Sequence, residues 1–278
     1  MTTVLKTDMG EKGIYDGRNK LNDLTGKEWL QMSKSVWMSK RNTVDKDAFE
    51  HPAPFLVEDI KRLILLFTKK NDNVLDIFMG SGTSMIAAAM TGRHSTGIEL
   101  NKQYCTLARK RLRKLKIPRR MYSVINGDSL KEIRKLDTID YCVTSPPYHN
   151  ILKNNGRGIR HDGSQRRQGV EYYSDESNDV GNKKTYMAYL KSIEKIMAEL
   201  YKKLNEKKYC TVVISDFTVA KKETNAHGDM ITLMQKTGFE FVGNIILVQD
   251  SKPLYPFGYP YAFKINHVHQ YLLNFRKI

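Results

Sequence analysis

The chain has 278 residues, 40% of them hydrophobic, so it is long enough to bury the core of one large domain or two small ones. Its 46 Lys and Arg outnumber its 30 Asp and Glu, and the formal charge of +16 favours a polyanionic partner such as nucleic acid or an anionic membrane surface. No apolar stretch approaches the ~18 residues that span a bilayer, and the N-terminus lacks the apolar core of a signal peptide, which argues against a membrane protein and for a cytoplasmic one.

The first 50 residues are polar, with "SVW" at 35–37 as an isolated apolar anchor, and they predict an arm rather than a domain. The arm ends at "HPAPF" (51–55), whose prolines disfavour helix. An amphipathic helix follows from Leu56, and then the buried strand "NVLDIFM".

Helices and strands then alternate along the chain. The predicted helices are 83–91, 101–116, 129–136, 185–205 and about 228–237, and the predicted strands are 95–100, 121–127, 139–144, 209–216 and the terminal pair "FEFVGNIILVQ" and "VHQYLLNFRK". This alternation predicts an α/β fold with a parallel sheet and helices on both faces. The cysteines, Cys105, Cys142 and Cys210, fall inside these elements without metal-ligand spacing, so we expect buried thiols and no metal.

Two glycines, Gly80 and Gly82, stand where the first buried strand turns into a helix. Glycines there let backbone approach a ligand closely, and the helix N-terminus favours an anionic group, although a tight turn without a ligand has the same pattern. Glu99, at the end of the next strand, is placed to accept hydrogen bonds from a ribose, and Asp128 ends the third strand at the same edge. The chain has neither a GK[ST] loop nor a GxGxxG triple, so an adenosine ligand without a phosphate chain fits better than ATP or NAD.

The strand "IDYCVT" ends in a stiff corner, "SPPY" at 145–148. Taken in order, "VLDIFMGSGT", "GIEL", "NGDS" and "TSPPY" resemble the S-adenosylmethionine-dependent amino-methyltransferases of DNA, and the likeness spans roughly residues 35–278. The resemblance implies a Rossmann-like fold with a mostly parallel seven-stranded sheet and an antiparallel terminal strand. Residues 51–278 would form the catalytic domain, with an inserted basic loop at 152–184 and the 1–50 arm as a candidate for DNA contact.

The resemblance also assigns residues to the cofactor. They are His51, Pro52, Asp76, Phe78, Gly80, Gly82, Thr83, Glu99 and Asp128. The glycine turn with Phe78 would line the methionine part and Asp76 would organise that turn. Glu99 would hold the ribose, Asp128 would flank the adenine, and the His-Pro pair would lie near the amino-acid end.

The resemblance makes the corner the catalytic site, formed by Ser145, Pro146, Pro147 and Tyr148. An exocyclic amine is a poor nucleophile because its lone pair is delocalised into the ring. If the serine and the Pro146 carbonyl each accept an amino hydrogen, the nitrogen becomes more tetrahedral and its lone pair can point at the methyl group. The aromatic ring of the tyrosine would stack on a base flipped out of duplex DNA.

Serine at the first motif position favours cytosine N4 as the target, whereas aspartate is commoner among adenine N6 enzymes, so adenine stays the alternative. Methylation of RNA and a catalytically silent nucleic-acid-binding module are further alternatives. We expect double-stranded DNA as substrate, a companion restriction endonuclease, and a monomer or homodimer. Candidate recognition segments are residues 1–34, the loop after the corner with Arg157, Arg160, Arg166 and Arg167, and the aromatic stretch 251–267. The alternative for this last stretch is that its aromatic and proline residues pack a terminal hairpin.

Overall fold

The structure is a computed structural model and describes residues 6–149, 178–219, 222–252 and 254–278. The helices in these ranges are α1 (Gly26–Met32), α2 (Val57–Phe67), α3 (Thr83–Met90), α4 (Lys102–Lys114), α5 (Ser129–Glu132), α6 (Tyr186–Lys203) and α7 (Ala226–Lys236). The strands are β1 (Lys6–Asp8), β2 (Ile14–Asp16), β3 (Val36–Met38), β4 (Asn73–Asp76), β5 (His94–Glu99), β6 (Tyr122–Asn126), β7 (Ile139–Thr144), β8 (Leu204–Ile214), β9 (Phe217–Val219), β10 (Lys222–Thr224), β11 (Phe239–Val248) and β12 (His269–Lys277).

One eight-stranded sheet organises the molecule, in the order β3-β11-β12-β8-β7-β4-β5-β6. On the β6 side of the sheet, the pairs β8/β7, β7/β4, β4/β5 and β5/β6 are all parallel. Strand β12 runs antiparallel to both β8 and β11, so it is the reversed strand, and β3 joins the outer edge parallel to β11. The predicted Rossmann-like fold is confirmed, but the sheet has eight strands rather than seven because β3 comes from the segment predicted as an arm.

Alternating strand residues supply two cores, one on each face of the sheet. Leu75, Cys142 and Leu273 belong to the core that packs against α6 and α7. Their neighbours Val74 and Val143 belong to the core that packs against α2, α3 and α4. Because successive side chains of a strand point to opposite faces, helices on both faces are what these apolar strands require.

Several boundaries differ from those expected. Helix α5 ends at Glu132 and continues as a 3-10 turn over Ile133–Lys135, so the expected helix 129–136 is only half α-helical. Helix α6 ends at Lys203, and β8 begins at once, five residues before the expected strand. Lys207 has a φ of +62°, and the β7/β8 register shifts nearby, so the pairing of the first residues of β8 is irregular. Hydrophobic periodicity does not predict a strand there.

The N-terminal segment is held against the body by buried contacts. Trp37 on β3 is 2% exposed and lies under the guanidinium of Arg62, 3.9 Å from the ring centroid. The buried carboxylate of Asp45 accepts a 2.9 Å hydrogen bond from the backbone N–H of Val57 at the start of α2. The domain division at residue 50 remains a prediction. In the part of the chain that is described, no helix is long and apolar enough to cross a membrane.

Candidate active site

An open cleft lies at the carboxyl ends of the central parallel strands. Parallel strands present their carboxyl ends at one edge, and ligands of open α/β sheets bind there. Most of the predicted site residues line it, namely His51, Phe78, Gly80, Thr83, Glu99, Asp128, Ser145, Pro146, Pro147 and Tyr148. Three predicted residues, Pro52, Asp76 and Gly82, are not in its lining.

Asp76 connects the glycine turn to the strand that carries the proline corner. Its buried carboxylate accepts hydrogen bonds from Ser84 Oγ on α3 at 2.6 Å, from Thr144 Oγ1 at 2.8 Å and from the backbone N–H of Phe78 at 3.1 Å. Burial raises the pKa of Asp76 to about 6, against the lowering effect of these donors. Since Ser145 follows Thr144 directly, one side chain fixes the relative position of the two halves of the cleft.

The Glu99 carboxylate accepts hydrogen bonds from the backbone N–H groups of both neighbouring turns. Gly80 N–H donates to one carboxylate oxygen and Asn101 N–H to the other, each at 2.8 Å. A carboxylate has about four acceptor positions, so two remain for a ligand in the cleft. Burial raises the pKa of Glu99 to about 7, while the two backbone donors act in the opposite direction.

The glycine turn is shaped by its neighbours as well as by any ligand. Gly82 has a φ of +78° and starts α3, and a Cβ there would lie 2.8 Å from the Cβ of Ala108 on α4. This glycine therefore allows α3 and α4 to pack closely. The sequence did not single out Arg111, yet its buried guanidinium donates to the Ser81 carbonyl at 2.7 Å and to Thr83 Oγ1 at 2.9 Å, which braces the same turn.

Replacing Gly82 with alanine is expected to lower the free energy of unfolding by about 2 to 4 kcal/mol, because the new Cβ would both strain the left-handed backbone and clash with the Cβ of Ala108 on α4. Urea denaturation of the two proteins measures the difference. Gly26→Ala on α1 is the matched control, since a Cβ at Gly26 has no heavy atom within 4 Å. Equal stability of the Gly82 variant and wild type would contradict the packing role.

The cleft lining also contains Tyr104 and Asp179, which the sequence analysis missed, beside the predicted His51 and Asp128. The His51 and Tyr104 rings meet edge to face with centroids 4.5 Å apart, and both line the cleft. Asp128 caps α5 by accepting the backbone N–H of Leu130 at 2.9 Å. Asp179 also lines the cleft and accepts the N–H of Gly181 at 2.8 Å. No local motif marks Tyr104 or Asp179, and only the folded topology brings them to the cleft.

The proline corner is rigid and partly buried. Ser145 is half-buried at the cleft, whereas Pro146 and Tyr148 are buried. The Tyr148 hydroxyl accepts the backbone N–H of Ser215 at 3.1 Å, and its ring meets Phe217 edge to face at 5.4 Å. The tyrosine ring therefore has a fixed orientation at the cleft wall, with 8% of the residue exposed.

Other residues near the corner have structural partners or lie outside the described ranges. His149 is buried, and its Nε2 lies 2.7 Å from the carbonyl oxygen of Lys183, so it is a polar residue that packs behind the corner. The predicted DNA-contacting residues Arg157, Arg160, Arg166 and Arg167 lie outside the described residues. The inserted loop predicted at 152–184 is described only from residue 178 onward.

The cleft combines a glycine turn, three carboxylates and a proline corner at the carboxyl edge of a Rossmann-like sheet. A family model described as DNA methylase matches residues 8–110 and 139–278, and a second, described as conserved hypothetical protein 95, matches residues 64–192. The first covers most of the chain. The chain therefore belongs to the DNA methylase family, whose model groups N6 and N4 methyltransferases, and the predicted resemblance is confirmed.

Curated relatives match shorter stretches of the chain. The type II methyltransferase M2.DpnII of Streptococcus pneumoniae is 41% identical over 99 residues, 35% of each chain. The orphan methyltransferase M.BamHII of Bacillus amyloliquefaciens is 42% identical over 74 residues, 27% of this chain and 28% of that protein. The type II methyltransferase M.BglI of Bacillus subtilis is 34% identical over 124 residues, 44% of this chain and 32% of that protein. These alignments thus span about a third of each relative.

Solved structures support the fold at low sequence identity. TrmN from Thermus thermophilus superposes with a TM-score of 0.52 at 14% identity, covering 85% of this chain and 52% of that one. A SAM-dependent O-methyltransferase from Thermotoga maritima gives 0.50 at 11% identity, covering 85% and 72%. Family and fold together make S-adenosylmethionine the cofactor, as predicted. The cleft fits it, because Glu99, Asp128 and Asp179 favour a cationic ligand and disfavour a phosphate chain.

Proposed function

We propose that this chain methylates the exocyclic N4 of cytosine in double-stranded DNA. The observation that carries the proposal is that Ser145 and the glycine turn line one cleft and are joined by the Thr144 to Asp76 hydrogen bond. When bound, S-adenosylmethionine would supply the methyl group: the nitrogen–carbon bond forms as the carbon–sulfur bond breaks, S-adenosylhomocysteine leaves with the sulfur electron pair, and the amine releases one proton to water. Glu99 would hold the ribose hydroxyls, and the half-buried Asp128 would face the adenine.

The role of the corner is to orient the amine. Ser145 Oγ and the Pro146 carbonyl would each accept one amino hydrogen, which draws the lone pair out of conjugation with the ring. The two prolines have fixed φ and no N–H, so they hold these acceptors without competing donors. The Thr144 to Asp76 bond supports this preorganisation, since acceptors that need not reorganise stabilise developing charge best.

The target base would reach the cleft by leaving the duplex, because the amine is inaccessible inside the stack. Tyr148 would present its ring to the flipped base, and its hydroxyl is already bound to the Ser215 backbone, so the ring needs no rearrangement. The formal charge of +16 supports attraction to phosphates. Relatives named as type II methyltransferases support a role in restriction-modification beside a companion endonuclease. The protein would act in the cytoplasm, which contains the bacterial DNA.

Labelled S-adenosylmethionine incubated with the protein and mixed-sequence duplex DNA, followed by digestion to nucleosides, tests the proposal. We expect label in N4-methyl-2′-deoxycytidine, because serine stands at the first corner position. Label in N6-methyl-2′-deoxyadenosine instead would support a DNA methyltransferase that acts on adenine and would reject the cytosine target. A parallel reaction with RNA in place of the DNA is the control: label in RNA alone, or cofactor binding without transfer to either nucleic acid, would reject the proposed function.

A further inference from the structure

The loop between β11 and β12 carries aromatic side chains that face solvent. Tyr259, Tyr261 and Phe263 are 81%, 95% and 91% exposed, and Leu254 and Ile265 beside them are 64% and 47% exposed. Aromatic residues are normally among the main contributors to buried apolar area, so a cluster this exposed indicates a surface that another molecule covers. These side chains therefore do not pack a terminal hairpin.

Hydrogen bonds within the loop fix its backbone. Asn266 closes the base, where its side chain accepts the Tyr255 N–H at 2.9 Å and donates to the Tyr255 carbonyl at 2.8 Å. At the tip, Tyr259 N–H donates to the Pro256 carbonyl at 3.2 Å and Tyr261 N–H to the Gly258 carbonyl at 2.8 Å. The exposed rings are thus carried on a defined turn, and their binding would cost little backbone ordering.

The sheet topology places this loop beside the cleft. Strand β11 runs parallel to β8 and β7, so the loop that follows it emerges at the same carboxyl edge as Ser145. At its base, Gln270 Nε2 lies 3.5 Å from the Tyr148 hydroxyl, and Ser215 Oγ donates to the His269 carbonyl at 2.9 Å. A substrate that reaches the proline corner therefore passes close to the aromatic loop.

The charge around the loop identifies the kind of partner. The loop, residues 249–268, contains two lysines, Lys252 and Lys264, and one acid, Asp250 at its start, so the segment that carries the exposed rings has cations and no anion. Exposed rings interleaved with cations bind nucleic acid, because the rings stack on bases while the cations attract phosphates. A purely apolar partner would gain nothing from these charges.

We infer that Tyr259, Tyr261 and Phe263 stack on, or wedge between, the DNA bases that flank the target nucleotide. This inference rests on the proposed function, because it concerns DNA engaged at the same cleft. A flipped base leaves its neighbours in the duplex without a stacking partner, and an inserted aromatic ring takes that place. The loop would thereby stabilise the opened duplex, and its aromatic contacts would contribute to recognition of the flanking bases.

A triple variant, Tyr259→Ser, Tyr261→Ser and Phe263→Ser, tests the inference. We expect its Kd for duplex DNA to rise roughly tenfold or more, since stacking on each base contributes substantially to affinity. The slope of log Kd against log salt should stay unchanged, because no charge is removed. The pair Tyr259→Phe and Tyr261→Phe should retain wild-type affinity. Leu30→Ser on α1 is the control, because Leu30 is another apolar residue with 75% exposure.

Fluorescence anisotropy measures DNA binding independently of methyl transfer, so the inference is judged even if the wild-type protein methylates no DNA and the proposed function fails. Equal Kd values for the triple variant and wild type would overturn the inference. A triple variant that binds DNA normally but no longer self-associates in sedimentation experiments would also overturn it, and would assign the patch to contacts between copies of this chain. Cofactor affinity should be the same in every variant, which excludes a folding defect.

Discussion

Alanine at position 145 is expected to lower kcat roughly 10²-fold while the Kd for S-adenosylmethionine stays within a factor of two or so of wild type. Ser145 supplies one of two acceptors for the amino hydrogens in the proposed mechanism, and it is half-buried at the cleft. Its neighbour Thr144, rather than Ser145 itself, makes the hydrogen bond to Asp76. The substitution therefore removes the acceptor and leaves the link between the two halves of the cleft in place.

Single-turnover methylation of duplex DNA, combined with isothermal titration of the cofactor, separates the chemical step from binding. Ser145→Asp is the informative companion, because it restores an acceptor at the same position and should recover part of the lost rate. An alanine variant with wild-type kcat would contradict the role of this hydroxyl. Equal loss in the alanine and aspartate variants would indicate that the size of the side chain, rather than its acceptor, matters.

Glu99→Gln is expected to weaken S-adenosylmethionine binding at least tenfold at pH 8. Glu99 already binds the N–H groups of Gly80 and Asn101 through separate oxygens. An amide has one oxygen where the carboxylate has two, so it cannot serve both backbone donors and both ribose hydroxyls. One buried donor would then lose its partner. Glu58→Gln, which changes a surface carboxylate that pairs with Lys61, is the control and should bind the cofactor normally.

The same carboxylate predicts a pH dependence of binding. Burial raises the pKa of Glu99 from 4.5 to about 7, so the group is ionised above pH 7 and protonated below it. Ribose hydroxyls donate to the ionised form, and cofactor affinity should therefore fall up to tenfold for each pH unit below 7 and level off above 8. Titrations between pH 5.5 and 8.5 measure this, and a wild-type profile as flat as that of Glu99→Gln would contradict it.

The sequence predicts this cleft well wherever a residue follows a strand end. Gly80, Glu99, Asp128 and Ser145 each stand directly after, or at the end of, an apolar run, and parallel strands end at one edge of the sheet. The order of the apolar runs was therefore sufficient to bring these residues together. Local turn chemistry, namely paired glycines and paired prolines, marked the two functional turns.

The residues that the sequence analysis missed depend on contacts between distant parts of the chain. Arg111 lies in a run of basic residues that is typical of a solvated helix face, yet its guanidinium is buried against the turn after β4. Asp179 reaches the cleft wall from a stretch without periodicity. Strand β3 has three residues, too few for alternation to be recognised. Their positions follow from tertiary packing, which local patterns do not encode.

Strand β3 also affects the tendency of this protein to associate through the edge of its sheet. It pairs with Ile246, Leu247 and Val248, the apolar end of β11, whereas the uncovered remainder of β11 carries Glu240 and a bulge at Gly243. An open apolar strand invites pairing between molecules, and charge or irregularity discourages it. Because β3 has only three residues, the segment that carries it covers the apolar end of β11 with a short edge, and its removal is expected to increase association between molecules in sedimentation experiments.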